Sequence, residues 1–172
     1  MEETLKGKRI LIVDDEVDIL DTLKDLLDMC TIYTAPNFET ARKFLEKETF
    51  DAAILDIMGV QGYDLLALAK EKNIPSLMLT AHALSSDNLL KSPKKGAYAY
   101  IPKDQMVDIA TYLAEIIQAR EKGIRKPKKW LERLSPLFDK KFGPDWKAKH
   151  KEFWAEFDRI PPVTKEEAED ML

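Results

Sequence analysis

Five polar residues directly follow apolar runs of the chain, where the ends of strands would bring their side chains together: Asp14, Asp15, Asp56, Thr80 and Lys103. Three carboxylates in one pocket repel each other, and they stay ionised together only when cations join them. Mg²⁺ suits such an oxygen-rich pocket, and Lys103 would add a fixed positive charge. An ionised Asp56 is then a competent nucleophile toward phosphorus, and the Thr80 hydroxyl can donate to the transferring group. These residue types indicate phosphoryl transfer to an aspartate.

Each of these residues also has a simpler interpretation when it is taken alone. Asp14 or Asp15 could cap a helix that starts after the first apolar run. Asp56 and Thr80 could be ordinary loop residues, and Lys103 could be a solvated surface charge. The chemical interpretation depends on all of them lying at one edge of one sheet.

The apolar runs predict the sheet that would position these side chains. Four of the five runs are nearly continuous rather than alternating, which is typical of parallel strands covered on both faces. The runs are residues 10–13, 31–35, 52–55, 76–79 and 97–101. Amphipathic helical segments separate them, so the sequence predicts a doubly wound α/β sheet. In such sheets ligands bind beyond the carboxyl ends of the strands, where the polar residues stand.

The helix boundaries have local signals of their own. Asn37 is a cap for the second helix of the alternation, and Ser85 or Ser86 for the fourth. Pro93 predicts that this fourth helix is short or kinked. Gly123 is a stop for the long last helix that begins near Val107.

The motifs together resemble the receiver domain of two-component response regulators. The resemblance runs from about Lys8 to Lys122 and rests on four segments, 10–16, 54–56, 79–81 and 96–103: Ile-Leu-Ile-Val-Asp-Asp-Glu, Ile-Leu-Asp, Leu-Thr-Ala and Gly-Ala-Tyr-Ala-Tyr-Ile-Pro-Lys. It implies the flavodoxin-like fold, a five-stranded parallel sheet of order 2-1-3-4-5. The predicted domains are a receiver at 5–122 and a linker with a small all-helical extension at 123–172, here called the tail.

The resemblance also implies roles for individual residues. Asp56 would be the phosphoacceptor, and Asp14, Asp15, Asp56 and the backbone carbonyl of Met58 would hold Mg²⁺. The phosphodonor would be a histidine on a separate histidine kinase or phosphotransfer protein. A protein of this kind is a phosphoacceptor in signalling rather than an enzyme, since it catalyses only its own phosphorylation and dephosphorylation.

Thr80 and Tyr100 would be the switch pair of such a domain, and Lys103 the phosphate-contacting lysine. The output would be a downstream protein target or self-association through the face of strands 4–5 and the tail. The chain departs from the family after Asp56, where residues 57–62 lack the usual proline and are about two residues short. It departs again at Asp104, where the family usually has proline.

Two other functions compete with this interpretation, and a further alternative concerns the output alone. An aspartate-nucleophile phosphohydrolase of the haloacid-dehalogenase type would need an Asp-x-Asp motif at the first strand and a cap-domain insertion, and neither is present. A receiver-like interaction module independent of phosphorylation is the second, and the shortened loop after Asp56 favours it. The further alternative keeps the receiver but changes its output: the protein would be a regulator that binds DNA through the basic part of the tail.

Composition restricts the class of protein further. Cys30, the only cysteine, excludes a disulfide framework, and we expect it to be a small buried hydrophobe. His82, two positions after Thr80, is either a solvated loop residue or, by the resemblance, one that with Met58 influences the lifetime of the phosphoryl group. The polar first residues are no signal peptide, and no apolar run could span a membrane, so a cytoplasmic protein is expected.

The tail differs in character from the rest of the chain. Residues 1–119 carry a net charge of −7, residues 120–151 of +8 and residues 152–172 of −5. Ser135-Pro136 predicts a helix start, and Trp146, His150, Phe153 and Phe157 have the spacing of one helix stripe.

Thr164 and Glu167, further along the tail, form a capping box. The first interpretation is a helical appendage packed on the receiver or on a second subunit. A docking site for another protein is the second. Binding to nucleic acid or to an anionic membrane surface is the third interpretation, and we do not expect either as the partner.

Overall fold

The structure of the protein, a computed structural model, describes residues 2–81 and 84–159. Its centre is one sheet of five strands, all paired in parallel, in the order β2-β1-β3-β4-β5. The strands are β1 (Arg9–Val13), β2 (Thr31–Ala35), β3 (Ala52–Asp56), β4 (Ser76–Thr80) and β5 (Ala99–Pro102). The predicted fold class and strand order are confirmed. Every residue of β3, β4 and β5 is buried, as their continuous apolar sequences require.

Eight α-helices occur in the described residues. They are α1 (Glu2–Leu5), α2 (Val17–Leu26), α3 (Phe38–Lys47), α4 (Gly62–Glu71), α5 (Ser86–Lys94), α6 (Ile109–Glu121), α7 (Lys129–Phe142) and α8 (Lys151–Arg159). Helices α1, α2 and α6 pack together on one face of the sheet, and α3 and α4 on the other. Tyr63 on α4 donates a hydrogen bond to Asn88 on α5, which places α5 beside α4.

The predicted helix signals act as expected. The Asn37 side chain accepts a hydrogen bond from the Thr40 amide, and the Ser85 side chain accepts one from the Asn88 amide. Gly123 follows α6 with φ of +74°, a left-handed conformation that ends a helix. Pro93 lies within the last turn of the short helix α5.

Two features of the receiver differ from the sequence analysis. Helix α1 has no counterpart in it, because four residues are too few for a periodic pattern, yet Leu5 is fully buried. Cys30 is half-buried rather than fully buried, and its Sγ lies 3.4 Å from the Leu5 carbonyl oxygen. Burial raises the pKa of this thiol to about 11, so the cysteine is held as the unreactive thiol.

The tail packs on the open edge of the sheet. Helix α7 contacts β5, which has no strand on its other side, and Arg133 on α7 forms an ion pair with Glu115 on α6. The Lys94 ammonium of α5 lies over the ring of Phe153 on α8. Helices α7 and α8 of the tail therefore cover β5 between α5 and α6, as the first interpretation of the tail predicted for this part of the chain. Its side chains join the hydrophobic core of the receiver.

The prediction that Ser135-Pro136 starts a helix is wrong. Helix α7 runs without a break from Lys129 to Phe142, with Pro136 in its interior. Pro136 lies on the exposed face of α7, and proline has no amide hydrogen to donate within the helix. Leu134 and Phe138, on the opposite face of the helix, are buried. Burial of the apolar face outweighs the local cost of proline in a helix.

The predicted aromatic stripe is wrong in its first half. Trp146 lies in a turn, His150 ends a short 3₁₀ segment, and α8 begins only at Lys151. The Trp146 indole donates a hydrogen bond of 2.7 Å to the Asp139 side chain and meets the ring of Trp154, and these contacts fix the turn. The side chain of Phe157 and the capping box at Thr164 and Glu167 lie outside the described residues.

Candidate functional site

The strands deliver the predicted side chains to one edge of the sheet. Asp14 directly follows β1, Asp56 ends β3, Thr80 ends β4, and Lys103 directly follows β5. These four residues are buried, although their side chains are polar or charged, and Asp15 beside them is exposed. Sequence and topology together thus produce a pocket with a buried floor and an acidic rim.

Lys103 lies at the centre of this pocket. Its Nζ is 2.8 Å from Asp14 Oδ2, 3.4 Å from Glu16 Oε1 and 3.6 Å from Asp56 Oδ1. Burial alone would lower the pKa of Lys103, but the hydrogen bond and charge of Asp14 and the charges of Asp56 and Glu16 raise it. The ammonium is therefore a permanent cation among carboxylates.

Negative charge still exceeds positive charge in the pocket. Burial, followed by repulsion from Asp14, raises the pKa of Asp56 to about 7, and the charge of Lys103 opposes this rise. Burial also raises the pKa of Asp14, against the hydrogen bonds that it accepts from Lys103 and the Glu16 amide. A further positive charge beside Lys103 would be needed to hold both aspartates ionised.

The acidic residues have the chemistry of a site for a hard cation. Carboxylate oxygens of Asp14, Asp15 and Glu16 lie within 4.8 Å of one another. Such oxygens are the ligands that Mg²⁺ prefers. Glu16 was not among the predicted site residues. Its position directly after Asp14 and Asp15 could have indicated that it belongs to the same acidic group.

The shortened loop after Asp56 closes through unusual backbone conformations. Gly59 and Gln61 both have positive φ, at +83° and +55°. A Cβ at Gly59 would overlap the Asp15 carboxylate, and one at Gly62 would overlap the Asp56 carbonyl oxygen. The left-handed conformations let the loop turn within few residues, and the glycines let its backbone lie against the acidic residues.

Comparisons with known proteins agree with this geometry. The family model for the response regulator receiver domain matches residues 10–114. The chain belongs to the response regulator receiver domain family. A CheY-like receiver domain protein from Methanospirillum hungatei JF-1 is 31 % identical with a TM-score of 0.62, over 68 % of this chain and 98 % of that one. A putative response regulator from Chloroflexus aurantiacus J-10-fl is 26 % identical with a TM-score of 0.59, over 66 % and 99 %.

Curated relatives of this receiver domain include the heme response regulator HssR of Staphylococcus aureus strain Newman. It is 42 % identical over 82 residues, which is 45 % of this chain and 37 % of HssR. The match therefore spans well under half the length of the relative. Receiver domains are signalling domains of two-component systems that interact with histidine kinases and downstream targets, and they generally bind Mg²⁺ at an acidic pocket. No helix in residues 2–81 or 84–159 has the length and apolar character to cross a bilayer.

The two predicted switch residues of the receiver lie on neighbouring strands. Tyr100 on β5 pairs with Met78 on β4, two residues before Thr80, so the side chains of Tyr100 and Thr80 point to the same face of the sheet. Tyr100 is fully buried, and its hydroxyl accepts a hydrogen bond of 3.1 Å from the Ser85 amide. Its ring centroid lies 6.2 Å from that of Phe138 on α7.

Three further positions were singled out in the sequence analysis: Met58, the bond from Lys103 to Asp104, and His82. Met58 is exposed in the loop beside the pocket, with 55 % of its surface accessible. The bond from Lys103 to Asp104 is trans, like every other peptide bond in the described residues. His82 lies outside the described residues.

Proposed function

We propose that this receiver accepts a phosphoryl group on Asp56 from a phosphohistidine of a kinase or phosphotransfer protein, and thereby controls a protein–protein interaction. The observation that carries the proposal is the placement of the buried Asp56 carboxylate 3.6 Å from the Lys103 ammonium, in a pocket whose other charged side chains are acidic. A structural ion pair needs one carboxylate for one lysine. Here three carboxylates surround one ammonium, which suits a site that takes on a further ligand.

The chemistry needs few groups. An oxygen of the Asp56 carboxylate attacks phosphorus while the bond from phosphorus to the donor imidazole nitrogen breaks. The electron pair of that bond returns to the imidazole, and an acyl phosphate remains on Asp56. The Lys103 ammonium neutralises charge on the transferring oxygens, and the Thr80 hydroxyl donates to one of them.

The acidic rim fits Mg²⁺. Asp14, Asp15, Asp56 and the Met58 carbonyl would hold the ion, with Glu16 beside them. All the side-chain donors are carboxylates, and the absence of a Cβ at Gly59 lets the loop backbone lie against Asp15. When bound, the ion supplies positive charge that keeps the aspartates ionised and offsets the charge of the phosphoryl oxygens.

The proposed function is tested by incubating the full chain with a small-molecule phosphodonor and Mg²⁺. We expect intact mass spectrometry to show the gain of one phosphoryl group, and hydroxylamine to remove it, because acyl phosphates are cleaved by hydroxylamine. A chelator should prevent the gain. A phosphoryl group that resists hydroxylamine would instead indicate a hydroxyl acceptor.

Mg²⁺ alone should raise the melting temperature of the unphosphorylated protein, because binding to the folded state adds stability that grows with the ratio of free ion to dissociation constant. Asp15→Asn removes an exposed carboxylate of the rim and should weaken this shift. Differential scanning fluorimetry over a Mg²⁺ titration measures it. Asp18→Asn, an exposed change on α2, is the control that should keep the full shift, and a melting temperature independent of Mg²⁺ in the wild type would contradict the site.

Thr80→Val tests the predicted switch. The variant keeps Asp56 and Lys103, so it should still accept the phosphoryl group. It lacks the hydroxyl that would follow that group, so the packing of Tyr100 should stay as in the unphosphorylated protein. NMR spectra of the tyrosine ring before and after phosphorylation give the comparison. The same spectral change in Thr80→Val as in the wild type would contradict the coupling.

The output of the receiver would pass through the tail. Tyr100 packs against Phe138 of α7, and Lys141 of α7 forms an ion pair with Asp104, which follows Lys103. A rearrangement at Lys103 or Tyr100 would thus act directly on α7. The interaction with a downstream protein, or with a second copy, would then involve the face formed by β4, β5 and the tail.

A further inference from the structure

A second cleft lies at the opposite end of the sheet from Asp56. It has a volume of about 680 Å³ and opens between the ends of α4, α5 and α6, beside the starts of β4 and β5. Its apolar walls come from Ile74, Pro75, Pro93 and the half-buried ring of Tyr98. This volume is in the range of small-molecule sites, about 300–1,000 Å³. Nothing in the phosphoryl chemistry at Asp56 uses it.

The charged side chains that line this cleft are all basic. They are Lys70, Lys94, Arg120, Arg125 and Lys126, and none of the described residues that line the cleft is an aspartate or a glutamate. The whole chain has a net charge of −4, so this concentration of one sign is not a consequence of composition. Five cations around one recess give it a strongly positive potential that attracts anions.

Two of these cations, Lys70 and Arg120, are fixed by contacts with groups other than a carboxylate in the described part of the chain. Arg120 Nε donates a hydrogen bond of 3.2 Å to the Asn73 carbonyl, which leaves the other guanidinium nitrogens for a ligand. The stem of Lys70 packs against Gly96. Within the described residues, no carboxylate lies within ion-pair distance of Lys70 or Lys126. Guanidinium and ammonium groups of this kind form charge-assisted hydrogen bonds with phosphate oxygens.

We propose that this cleft binds a condensed phosphate, the phosphoanhydride chain of a nucleotide or of an inorganic polyphosphate. The five cations come from the ends of three helices and from the linker between α6 and α7, so they match phosphates linked in a chain better than a single phosphate. The Tyr98 ring and the prolines offer a flat apolar surface to a base. Because the receiver supplies Lys70, Lys94 and Arg120 and the linker supplies Arg125 and Lys126, the ligand would also tie the linker to the receiver.

Isothermal titration calorimetry of the full chain with ATP and, separately, with tripolyphosphate tests this proposal. EDTA in both titrations keeps the acidic site at Asp56 out of the measurement. The variant carries Lys70→Gln and Lys126→Gln. Its charge-matched control carries Lys24→Gln and Lys43→Gln, two exposed lysines of α2 and α3 far from the cleft.

We expect one ligand per chain and a loss of affinity of about tenfold or more in the cleft variant, since each lost charge-assisted hydrogen bond is a large part of such affinity. The control should change it by about twofold or less. Tighter binding of ATP than of tripolyphosphate would identify the nucleotide as the ligand, and equal binding would identify the phosphate chain alone. No binding at millimolar concentration, an equal loss in both variants, or binding of duplex DNA without either small anion would overturn the proposal.

Discussion

Replacing Phe138 with alanine should lower the free energy of unfolding of the whole chain by about 3–5 kcal/mol, the usual cost of removing a large buried aromatic side chain. Phe138 is fully buried, and its ring meets those of Tyr100, Phe142 and Trp146. The change would leave a cavity between α7 and the edge of the sheet. Urea denaturation followed by tryptophan fluorescence and by circular dichroism measures the effect.

The matched control for Phe138 is Phe153→Ala, the same truncation at a half-buried site of α8. We expect it to cost clearly less, because less apolar surface is lost. The two spectroscopic probes should report one transition in the wild type, since the tail and the receiver share one core. An unchanged free energy of unfolding in Phe138→Ala would mean that α7 is not packed on β5 in solution.

In the presence of a chelator, Asp56→Asn should make the protein more stable at pH 8. The pKa of Asp56 is raised to about 7 in the fold, well above the value near 4 in an unfolded chain. The folded state therefore holds a proton that the unfolded state has lost, and folding opposes ionisation of this carboxyl. The contribution of this carboxyl to the stability of the wild type should therefore become increasingly unfavourable as pH rises from about 4 to 7 and level off above the folded pKa.

The expected gain from Asp56→Asn at pH 8 is on the order of 2–4 kcal/mol, given about 1.4 kcal/mol for each unit of the pKa shift. It should shrink as pH falls toward 4, and saturating Mg²⁺ should reduce it by stabilising the wild type. Lys103 keeps its closer partner Asp14 in the variant. Asp51→Asn, at the opposite end of the β3 segment, is the control; its carboxylate accepts a hydrogen bond from the Arg9 amide, so this change should not make the protein more stable than the wild type at pH 8. A variant less stable than the wild type at pH 8 would contradict the charge balance described for the pocket.

The receiver fold was predictable because its signals are local and repeated. Each strand of the sheet is an apolar run, each crossover helix has a periodic face, and caps such as Asn37 and Ser85 mark the boundaries. The rule that ligands bind beyond the carboxyl ends of parallel strands then placed Asp14, Asp56 and Lys103 together. Their distances confirm that these three side chains meet.

The tail was predictable only in outline, because long-range contacts determine its details. Pro136 would end an isolated helix, but the burial of Phe138 against Tyr100, 38 residues earlier in the chain, carries α7 past it. Trp146 leaves the predicted stripe because its indole bonds to Asp139 across a turn. In the receiver, the short loop after Asp56 is closed by Gln61 in a left-handed conformation, for which glutamine carries no sequence signal.

The proposed function requires that Asp56 itself takes the phosphoryl group. The most direct test treats the wild type, Asp56→Asn and Asp51→Asn with a small-molecule phosphodonor and Mg²⁺. The three proteins are then compared by intact mass. Because the loss of the Asp56 charge is not expected to unfold the protein, the absence of labelling in Asp56→Asn would be ascribed to the missing carboxylate, and a melting curve of the variant under the labelling conditions is the check. The account predicts one phosphoryl group on the wild type and on Asp51→Asn, and none on Asp56→Asn. Labelling of Asp56→Asn to the level of the wild type would contradict it.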